Sequence, residues 1–290
     1  MYAAIDIGSN TIQMLICGAE NGLLCDRRNY IATTRLGGGA PDGMLSAEAI
    51  QRTADTVARF MADVDEVRAR CRIVATSAVR DAANADELRQ AIRLAAPTAP
   101  ELEIISGRRE AAMSYLGARC SLDFPADWPV VDAGGSSTEL IYEIDGQVRG
   151  VSADVGCVRA AKHGWDRDEI RSRLSRVLRP LASAGGCVGV AGTITTAAGW
   201  KLGLPEYRRE AIEGVVLTRD DMEDMVSRLL ALPPQRRREL SPLLEARGEI
   251  MAEGLWICLA ALDIVGVDRL TVCGGGIPDG AVAEMVRGLV

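Results

Sequence analysis

A short sequence pattern occurs twice in this chain, once in each half. Residues 3–16 read AAIDIGSNTIQMLI, and residues 130–144 read VVDAGGSSTELIYEI. In each copy an apolar run leads to an aspartate, Asp6 or Asp132, then to glycines and hydroxyl residues, and then to a second apolar run. The pattern predicts a β-hairpin in each half. Because such a repeat is rarer by chance than either copy alone, we expect two similar domains that face a cleft.

The residues at each turn are typical of a phosphate-binding loop. Glycine can adopt a positive φ and lets the main chain approach a ligand, and successive N–H groups in such a turn attract anions. Asp132 ends a buried strand with no evident partner nearby in sequence, so a hard cation is a natural one. Taken alone, either stretch is more often an ordinary Gly-Ser hairpin, and it is the repeat that favours phosphate loops. The candidate phosphate-binding residues are Gly8, Ser9, Asn10, Thr11, Gly134, Gly135, Ser136 and Ser137.

Composition narrows the class of protein. The 290 residues suffice for two domains, and because only 4% of them are aromatic, the core is expected to be aliphatic. The net charge of −7 opposes general affinity for nucleic acid. The sequence contains no long uninterrupted apolar stretch, and its first residues read as a strand rather than as a signal peptide. We therefore expect a cytoplasmic protein without nucleic-acid or membrane partners.

Cysteine and histidine usage constrains the chemistry. The eight cysteines include no CxxC pair, and most lie inside apolar runs. We expect reduced, buried thiols rather than disulfides or a zinc site. His163 is the only histidine, which argues against histidine metal sites and Ser-His catalysis. If the protein is a hydrolase, its base is expected to be a carboxylate.

Strand and helix patterns alternate in both halves, which predicts an α/β fold with mixed sheets flanked by helices. The segment Leu122–Pro129, with two prolines, is the expected join. It separates an N-terminal domain at residues 1–124 from a C-terminal domain at residues 125–290, and the last helix is a candidate to pack back on the first domain. Further expectations are a loop over Leu36–Gly43, a helix capped by Asn84, helices over Asp168–Ala184 and Leu243–Leu262, and a loop over Gly274–Gly280.

Four further residues could meet an anionic substrate. Glu110 lies in the first turn of a predicted helix, where a carboxylate could orient a water. The alternative is that Glu110 only favours the helix N-terminus, by about 0.3–1 kcal/mol. Arg80 follows the predicted strand RIVATS, at the kind of strand end where ligands of α/β proteins bind. Gly192 and Thr193 open a predicted helix and could either bind an anion or serve helix packing.

Six segments, in order, resemble the exopolyphosphatase/guanosine pentaphosphate phosphatase (Ppx/GppA) family of the actin–sugar kinase–Hsp70 superfamily. They are AAIDIGSNT, VATSAVRDAANADEL, EIISGRREA, VVDAGGSSTEL, GCVRAAK and VGVAGTITT, with a weaker match at EARGEIMAEG. The resemblance implies two ribonuclease H-like (actin-like ATPase) domains with the active site in the interdomain cleft. It also implies an enzyme that uses Mg²⁺ and removes terminal phosphate from polyphosphate or, in some members, from guanosine pentaphosphate.

The same resemblance assigns roles to residues. Glu110 takes the place of the catalytic base, the last glutamate of the family's Ser-Gly-x-x-Glu-Ala segment. Asp132 and Glu139 take the places associated with cation and water handling, and Arg80 matches a family arginine. The implied phosphate contacts of the first loop are Ser9, Asn10 and Thr11, and the implied metal ligands are Asp132, Glu139 and Asp6.

The chain departs from the family pattern at three places. Arg109 stands where the family usually has an acid, and Ser136 replaces the third glycine of the second loop. The family's C-terminal Gly-Leu-Arg-Glu-Gly appears as residues 276–280, GIPDG, which lacks the arginine. The resemblance is to a short form without the helical C-terminal domains of longer relatives, which favours short polyphosphate as substrate.

Three functional hypotheses follow. The leading one is an exopolyphosphatase-like phosphohydrolase that uses Mg²⁺-assisted attack by water, with guanosine pentaphosphate as an alternative substrate. The second is a kinase or ATPase of the same superfamily, in which the Ser-Gly-x-x-Glu-Ala segment has no usual place. The third is a non-catalytic sensor that binds polyphosphate or a guanosine polyphosphate, which the three departures keep open. A homodimer is expected from the resemblance alone.

Overall fold

The computed structural model describes residues 1–38, 43–179 and 184–289. The chain divides into two compact units. Unit 1 is Met1–Cys120 together with the segment that begins at Ile277, and unit 2 is Ser121–Gly276. The division after Cys120 lies just before the proline-containing segment that the sequence suggested as the join.

Unit 1 contains a five-stranded mixed sheet. Its strands are β1 (Tyr2–Ile7), β2 (Thr11–Glu20), β3 (Leu23–Thr33), β4 (Arg70–Ala75) and β5 (Leu102–Ile104). Their order is β3-β2-β1-β4-β5. The β3–β2 and β2–β1 pairs are antiparallel, and the β1–β4 and β4–β5 pairs are parallel. The core around this sheet is aliphatic, as the composition predicts, and includes Ile5, Ile7 and Ile73.

Helices pack beside this sheet because their apolar residues recur at helical spacing. They are α1 (Ala47–Glu66), α2 (Ser77–Arg80), α3 (Ala85–Ala95) and α4 (Gly107–Arg119). Ser46 and Ser106 cap α1 and α4 by accepting a main-chain N–H at 3.2 and 3.3 Å. The predicted loop over Leu36–Gly43 contains a 3₁₀ turn at Leu36–Gly38, and its residues 39–42 lie outside the described residues.

Asn84 occupies the N-cap position of α3, as the sequence predicts, but its side chain does not accept a hydrogen bond from that helix. Its Oδ1 accepts from the main-chain N–H of Leu45 at 2.8 Å, and its Nδ2 donates to the carbonyl of Leu45 at 3.1 Å and to Glu87 at 3.1 Å. Local sequence cannot distinguish a capping amide from one that ties two distant segments together.

Unit 2 repeats the same strand order and adds a strand. Its strands are β6 (Val130–Ala133), β7 (Thr138–Ile144), β8 (Gln147–Ala153), β9 (Val188–Val190), β10 (Val216–Thr218) and β11 (Arg269–Val272). The order is β10-β11-β9-β6-β7-β8, so that β8-β7-β6-β9-β11 matches β3-β2-β1-β4-β5 of unit 1. The added strand β10 pairs antiparallel with β11.

The helices of unit 2 are α5 (Cys157–His163), α6 (Arg167–Val177), α7 (Gly192–Lys201), α8 (Arg209–Ile212), α9 (Arg219–Leu230) and α10 (Met251–Val265). The predicted helix over Asp168–Ala184 ends earlier, at Val177, and residues 180–183 lie outside the described residues. The single helix expected over Leu243–Leu262 is also wrong, because 3₁₀ turns precede α10. Gly248 lies in one of these turns and packs closely, since a Cβ there would lie 2.7 Å from the main-chain nitrogen of Arg238.

The last helix, α11 (Ile277–Val286), belongs to unit 1 and packs against α4 and β1. The loop expected over Gly274–Gly280 is therefore shorter than predicted. Pro278 is compatible with the first turn of a helix, where no main-chain donor is needed. Gly280 is required by packing, because a Cβ there would overlap the main chain of Met113 in α4.

Two whole-chain observations complete the fold. Among the described residues no helix is long and apolar enough to cross a membrane. All eight cysteines are described and none is in a disulfide; five of them are buried, as expected for thiols that lie in apolar runs.

Candidate functional site

The first hairpin turn joins β1 to β2. The N–H of Gly8 donates to the carbonyl of Thr11 at 3.1 Å. The carbonyls of Ser9 and Asn10 accept hydrogen bonds of 2.7–3.1 Å from main-chain N–H groups of segment 34–37. Because the C=O and N–H of a trans peptide point in opposite directions, the N–H of Asn10 points away from that segment. The turn is thus fixed from one side and presents a donor on the other.

The side chains of this turn are polar but buried. Ser9, Asn10 and Thr11 are all nearly inaccessible. The Nδ2 of Asn10 has no hydrogen-bond partner among the described residues. A buried donor without an acceptor costs about 1–3 kcal/mol. A phosphate oxygen is the kind of acceptor that would satisfy it.

The two hairpins align residue for residue. Asp6 on β1 is buried and lies opposite Gln13 on β2. In the second hairpin the corresponding pair is Asp132 on β6 and Glu139 on β7. Only the second hairpin therefore places two carboxylates opposite one another, and the metal-ligand role of Asp6 stays a prediction.

The second hairpin turn joins β6 to β7 and repeats the first. The N–H of Gly134 donates to the carbonyl of Ser137 at 3.0 Å. The carbonyls of Gly134 and Gly135 accept hydrogen bonds of 2.8–3.1 Å from main-chain N–H groups of the first three residues of α5. The carbonyl of Ser136 accepts from Nε of Arg159 at 2.9 Å. Three successive carbonyls thus point toward the N-terminus of α5.

This arrangement leaves three consecutive donors on the opposite side of the turn. Across trans peptides, the N–H groups of Gly135, Ser136 and Ser137 are antiparallel to the three carbonyls that bond α5. They therefore point away from α5. Gly135 has no Cβ that would obstruct the approach of an anion. Successive N–H groups arranged in this way form a concave anion site.

The reason for glycine in this turn differs from the one that the sequence suggested. Neither Gly134 nor Gly135 has a positive φ. Gly134 is needed for space, because a Cβ there would lie 3.0 Å from the carbonyl oxygen of Ser137. Ser136 likewise has no positive φ, so its Cβ imposes no backbone strain on the turn.

Gly156, which sequence reasoning did not single out, allows α5 to contact the turn. A Cβ at Gly156 would overlap the carbonyl of Gly135 and the nitrogen of Ser136. The signal was present in the segment GCVRAAK, in which a glycine immediately precedes a helix. Its partner lies about 20 residues earlier in the chain, a pairing that loop-length arguments alone do not specify.

The carboxylates of Asp132 and Glu139 form the second part of the site. They are directly opposite on adjacent antiparallel strands, and both are buried. Ser152 on β8 donates to Oε1 of Glu139 at 2.6 Å and so orients that carboxylate. Like charges directly opposite on a sheet destabilise it. A cation shared by the two carboxylates would remove the repulsion.

The donor set fits Mg²⁺ better than it fits a metal held wholly by protein ligands. Among the described residues no cluster of three or more His, Cys, Asp or Glu side chains could hold a metal ion. Mg²⁺ is commonly held by one or two carboxylates together with substrate phosphates and several waters. Asp132 and Glu139 match that pattern, and the other predicted ligand, Asp6, belongs to unit 1.

Glu110 and Arg80 come from separate predicted segments and meet in unit 1. Glu110 is buried in the first turn of α4. Nη1 of Arg80, at the end of α2, donates to Oε2 of Glu110 at 3.0 Å and to the carbonyl of Ile105 at 2.9 Å. The guanidinium therefore fixes the orientation of the carboxylate. The sequence predicts that Arg80 contacts the substrate. In the structure its side chain donates a hydrogen bond to Glu110.

Gly192 and Thr193 open α7, which follows β9, the neighbour of β6. Thr193 is buried, with Oγ1 3.9 Å from the sulfur of Cys157 in α5. A Cβ at Gly192 would overlap the guanidinium of Arg247, and burial lowers the pKa of that guanidinium. A cation at the positive end of a helix favours an anion nearby. Arg247 was missed because it lies in the weakly matching segment EARGEIMAEG.

The predicted site residues thus form two groups, each described within its own unit. The first turn, Asp6, Arg80 and Glu110 belong to unit 1. The second turn, the carboxylate pair and the start of α7 belong to unit 2.

Both units have the same five-strand order, and in each a glycine-hydroxyl turn joins the first two strands along the chain. This repeat defines the actin-like class of two-sheet proteins. The Ppx/GppA phosphatase family profile matches residues 28–288, and the chain belongs to this family.

Individual relatives agree with this membership. Exopolyphosphatase 2 of Mycobacterium tuberculosis is 32% identical over 311 residues, which cover 98% of each chain. A guanosine-5'-triphosphate,3'-diphosphate pyrophosphatase of Vibrio vulnificus is 29% identical over all of this chain, which spans 60% of that enzyme. The crystal structure of the Aquifex aeolicus member of the Ppx/GppA family matches with a TM-score of 0.80 at 26% identity, covering 99% of this chain and 98% of that chain. The predicted family, fold class and phosphohydrolase class are confirmed.

Proposed function

We propose that this protein hydrolyses the terminal phosphoanhydride bond of inorganic polyphosphate with water, assisted by Mg²⁺. The observation that carries the proposal is the turn at residues 134–137, whose three N–H groups face one side. Beside that turn lies the buried carboxylate pair of Asp132 and Glu139. Membership in a phosphatase family and the similarity to an exopolyphosphatase support the same substrate class.

Phosphoryl transfer depends on positioning and charge neutralisation more than on covalent catalysis. The main-chain donors and hydroxyls of the two hairpin turns are suited to phosphate oxygens, which accept hydrogen bonds but donate none when ionised. Gly192 and Thr193, at the N-terminus of α7, and the neighbouring Arg247 would add further positive potential. The net charge of −7 makes such local sites necessary, because the protein as a whole repels a polyanion.

Asp132 and Glu139 would hold Mg²⁺, and Ser152 would keep Glu139 in the orientation that this requires. The bound ion would supply neutralisation of the charge on the phosphate oxygens. Asp6 is proposed as a further acidic group that contributes to the cation requirement.

Glu110 is the proposed general base. Arg80 holds its carboxylate in one orientation through the 3.0 Å hydrogen bond. In the reaction a bond forms between the water oxygen and the terminal phosphorus, and the P–O bond to the rest of the chain breaks. The water proton passes to the carboxylate of Glu110, and the leaving group is a polyphosphate one phosphate shorter.

Phosphate release from polyphosphate by wild type and by Glu110→Gln tests the proposal. Loss of the base is expected to lower kcat by about 10²–10⁴-fold. Glu48→Gln is the matched control, because Glu48 also lies in the first turn of a helix but is exposed. Wild-type activity in both variants would remove Glu110 from the mechanism. Loss of activity in both would indicate that each carboxylate only stabilises its own helix.

Guanosine pentaphosphate is the second candidate substrate, favoured by the 29% identity to the Vibrio vulnificus pyrophosphatase. A panel of tripolyphosphate, longer polyphosphate and guanosine pentaphosphate, with Mg²⁺ or with a chelator, compares kcat/KM among them. We expect release from polyphosphate to depend on the metal and to exceed release from the nucleotide. Tight binding of any of these anions without turnover would instead select the sensor hypothesis.

A further inference from the structure

A buried ion-pair network connects the last helix to the helix that carries Glu110. Oε2 of Glu284 in α11 accepts from Nη2 of Arg109 at 2.7 Å and from Nη1 of Arg72 at 2.8 Å. The side chain of Glu284 is only 5% exposed. Arg72 also donates two hydrogen bonds to Glu103 on β5, at 2.9 and 2.7 Å.

The position of Arg109 calls for an explanation. It lies in the first turn of α4, where the helix dipole disfavours a cation by about 0.3–1 kcal/mol. The carboxylate of Glu284 offsets this cost and keeps the guanidinium directed toward α11. Arg109 immediately precedes Glu110. Adjacent side chains of a helix do not face each other, so Arg109 affects the proposed base through its charge rather than through contact.

We propose that Glu284 is a positioning residue for the hydrolytic reaction and acts on Glu110 through Arg109. This inference rests on the proposed function, in which Glu110 takes the proton of water. Arg80 orients the Glu110 carboxylate, and Glu284 keeps the neighbouring guanidinium occupied elsewhere. Without the carboxylate of Glu284, the charge of Arg109 loses the partner in α11 that neutralises it, and a nearby cation that is not neutralised lowers the proton affinity of a base.

Steady-state kinetics of Glu284→Gln test the proposal. The substitution keeps the side-chain shape but removes the charge that engages Arg109. We expect kcat for polyphosphate to fall by about tenfold, with KM within about twofold of wild type. The acid limb of the kcat–pH profile is expected to move to lower pH, because the base becomes more acidic.

Glu103→Gln is the matched control. Glu103 and Glu284 both accept hydrogen bonds from Arg72, but the hydrogen bond from Arg109 goes to Glu284. Arg109 acts on the more exposed Glu103 only through its charge. We expect Glu103→Gln to lower the thermal midpoint and to leave kcat and its pH profile unchanged. If both variants lower kcat equally, the effect of Glu284 is on stability and the proposal is overturned.

A double-mutant comparison isolates the role of Arg109. In an Arg109→Gln background the guanidinium is absent, so Glu284→Gln is expected to leave kcat unchanged. A tenfold loss in both backgrounds would contradict action through Arg109. If Glu110→Gln is fully active, the proposed function fails as well, whereas an inactive Glu110→Gln with a wild-type Glu284→Gln overturns this inference alone.

Discussion

Two buried asparagines in unit 1 make opposite use of the same amide group. Asn84 satisfies its side chain within the protein, through the main chain of Leu45 and the carboxylate of Glu87. Asn10, buried to a similar extent, keeps its Nδ2 without a partner among the described residues. The first amide is satisfied within the fold, and the second is the one proposed to contact phosphate.

Replacing each asparagine with alanine is expected to separate these roles. Asn84→Ala should lower the free energy of unfolding by about 1–3 kcal/mol, because it leaves the main-chain groups of Leu45 unpaired. Asn10→Ala removes an unsatisfied donor, so its thermal midpoint should equal or exceed that of wild type, while KM for polyphosphate rises. Thermal melts and steady-state kinetics on both variants check this.

Equal destabilisation by the two substitutions would show that Asn10 is structural. An unchanged KM in Asn10→Ala would remove it from the phosphate contacts.

The short helix α5 determines the shape of the second turn. Its first N–H groups and Arg159 bond the carbonyls of residues 134–136, and these bonds direct the N–H groups of the turn to the other side. Gly156 is what permits this contact. The proposed anion site of the turn therefore depends on an element outside the turn.

Gly156→Ala is expected to displace the turn and to lower kcat/KM for polyphosphate by about 10-fold or more, since small misplacements of positioning groups are costly. The control is Gly276→Ala, since Gly276 also precedes a helix but has no atom within 4 Å of an added Cβ. Assays of both variants, with thermal melts to confirm folding, give the comparison. Wild-type activity in Gly156→Ala would show that the turn tolerates displacement.

Within single elements, the sequence was informative where the interacting residues are close together. The turns at residues 8–11 and 134–137 follow from adjacent glycines and hydroxyls, and the start of α4 follows from Ser106 and Glu110. The contacts that refine these elements come from far along the chain. Gly156 and Gly280 each make room for the main chain of another element, and no local periodicity encodes that partner.

At the scale of the molecule, the repeated hairpin predicted two related sheets, and the two sheets share one strand order. The family resemblance assigned roles to Arg80 and Glu110, which lie in separate segments of the sequence. The structure brings the two side chains into contact. The ion pairs of Glu284 could not be predicted, because its partners lie more than 170 residues earlier. Charge pairing over such distances depends on the tertiary fold, which spacing does not specify.

The buried thiols of both units are expected to be unreactive in the native state. Burial raises the pKa of Cys17 and of Cys187 to about 12. Since the folded pKa lies above the usual value of 9.0, the associated stability is present below pH 9.0 and is lost as the pH rises toward 12. Thiol labelling near pH 8 should be slow for the five buried thiols of the native protein and complete for all eight in guanidinium chloride.

The thermal midpoint should fall as the pH is raised above about 9, the region where these thiols ionise when unfolded. Rapid labelling of all eight cysteines in the native protein would contradict the assigned burial.

Helix α11 makes unit 1 discontinuous along the chain, and this has a consequence for how the protein is made. Arg72 and Glu284, which share a hydrogen bond, are 212 residues apart. During synthesis all of Ser121–Gly276 emerges before α11 does, so unit 2 is free to fold while unit 1 still lacks its last helix. Closing a loop of that length carries an entropic cost that unit 2 does not share. The unit that contains the proposed base is therefore the one whose assembly finishes last.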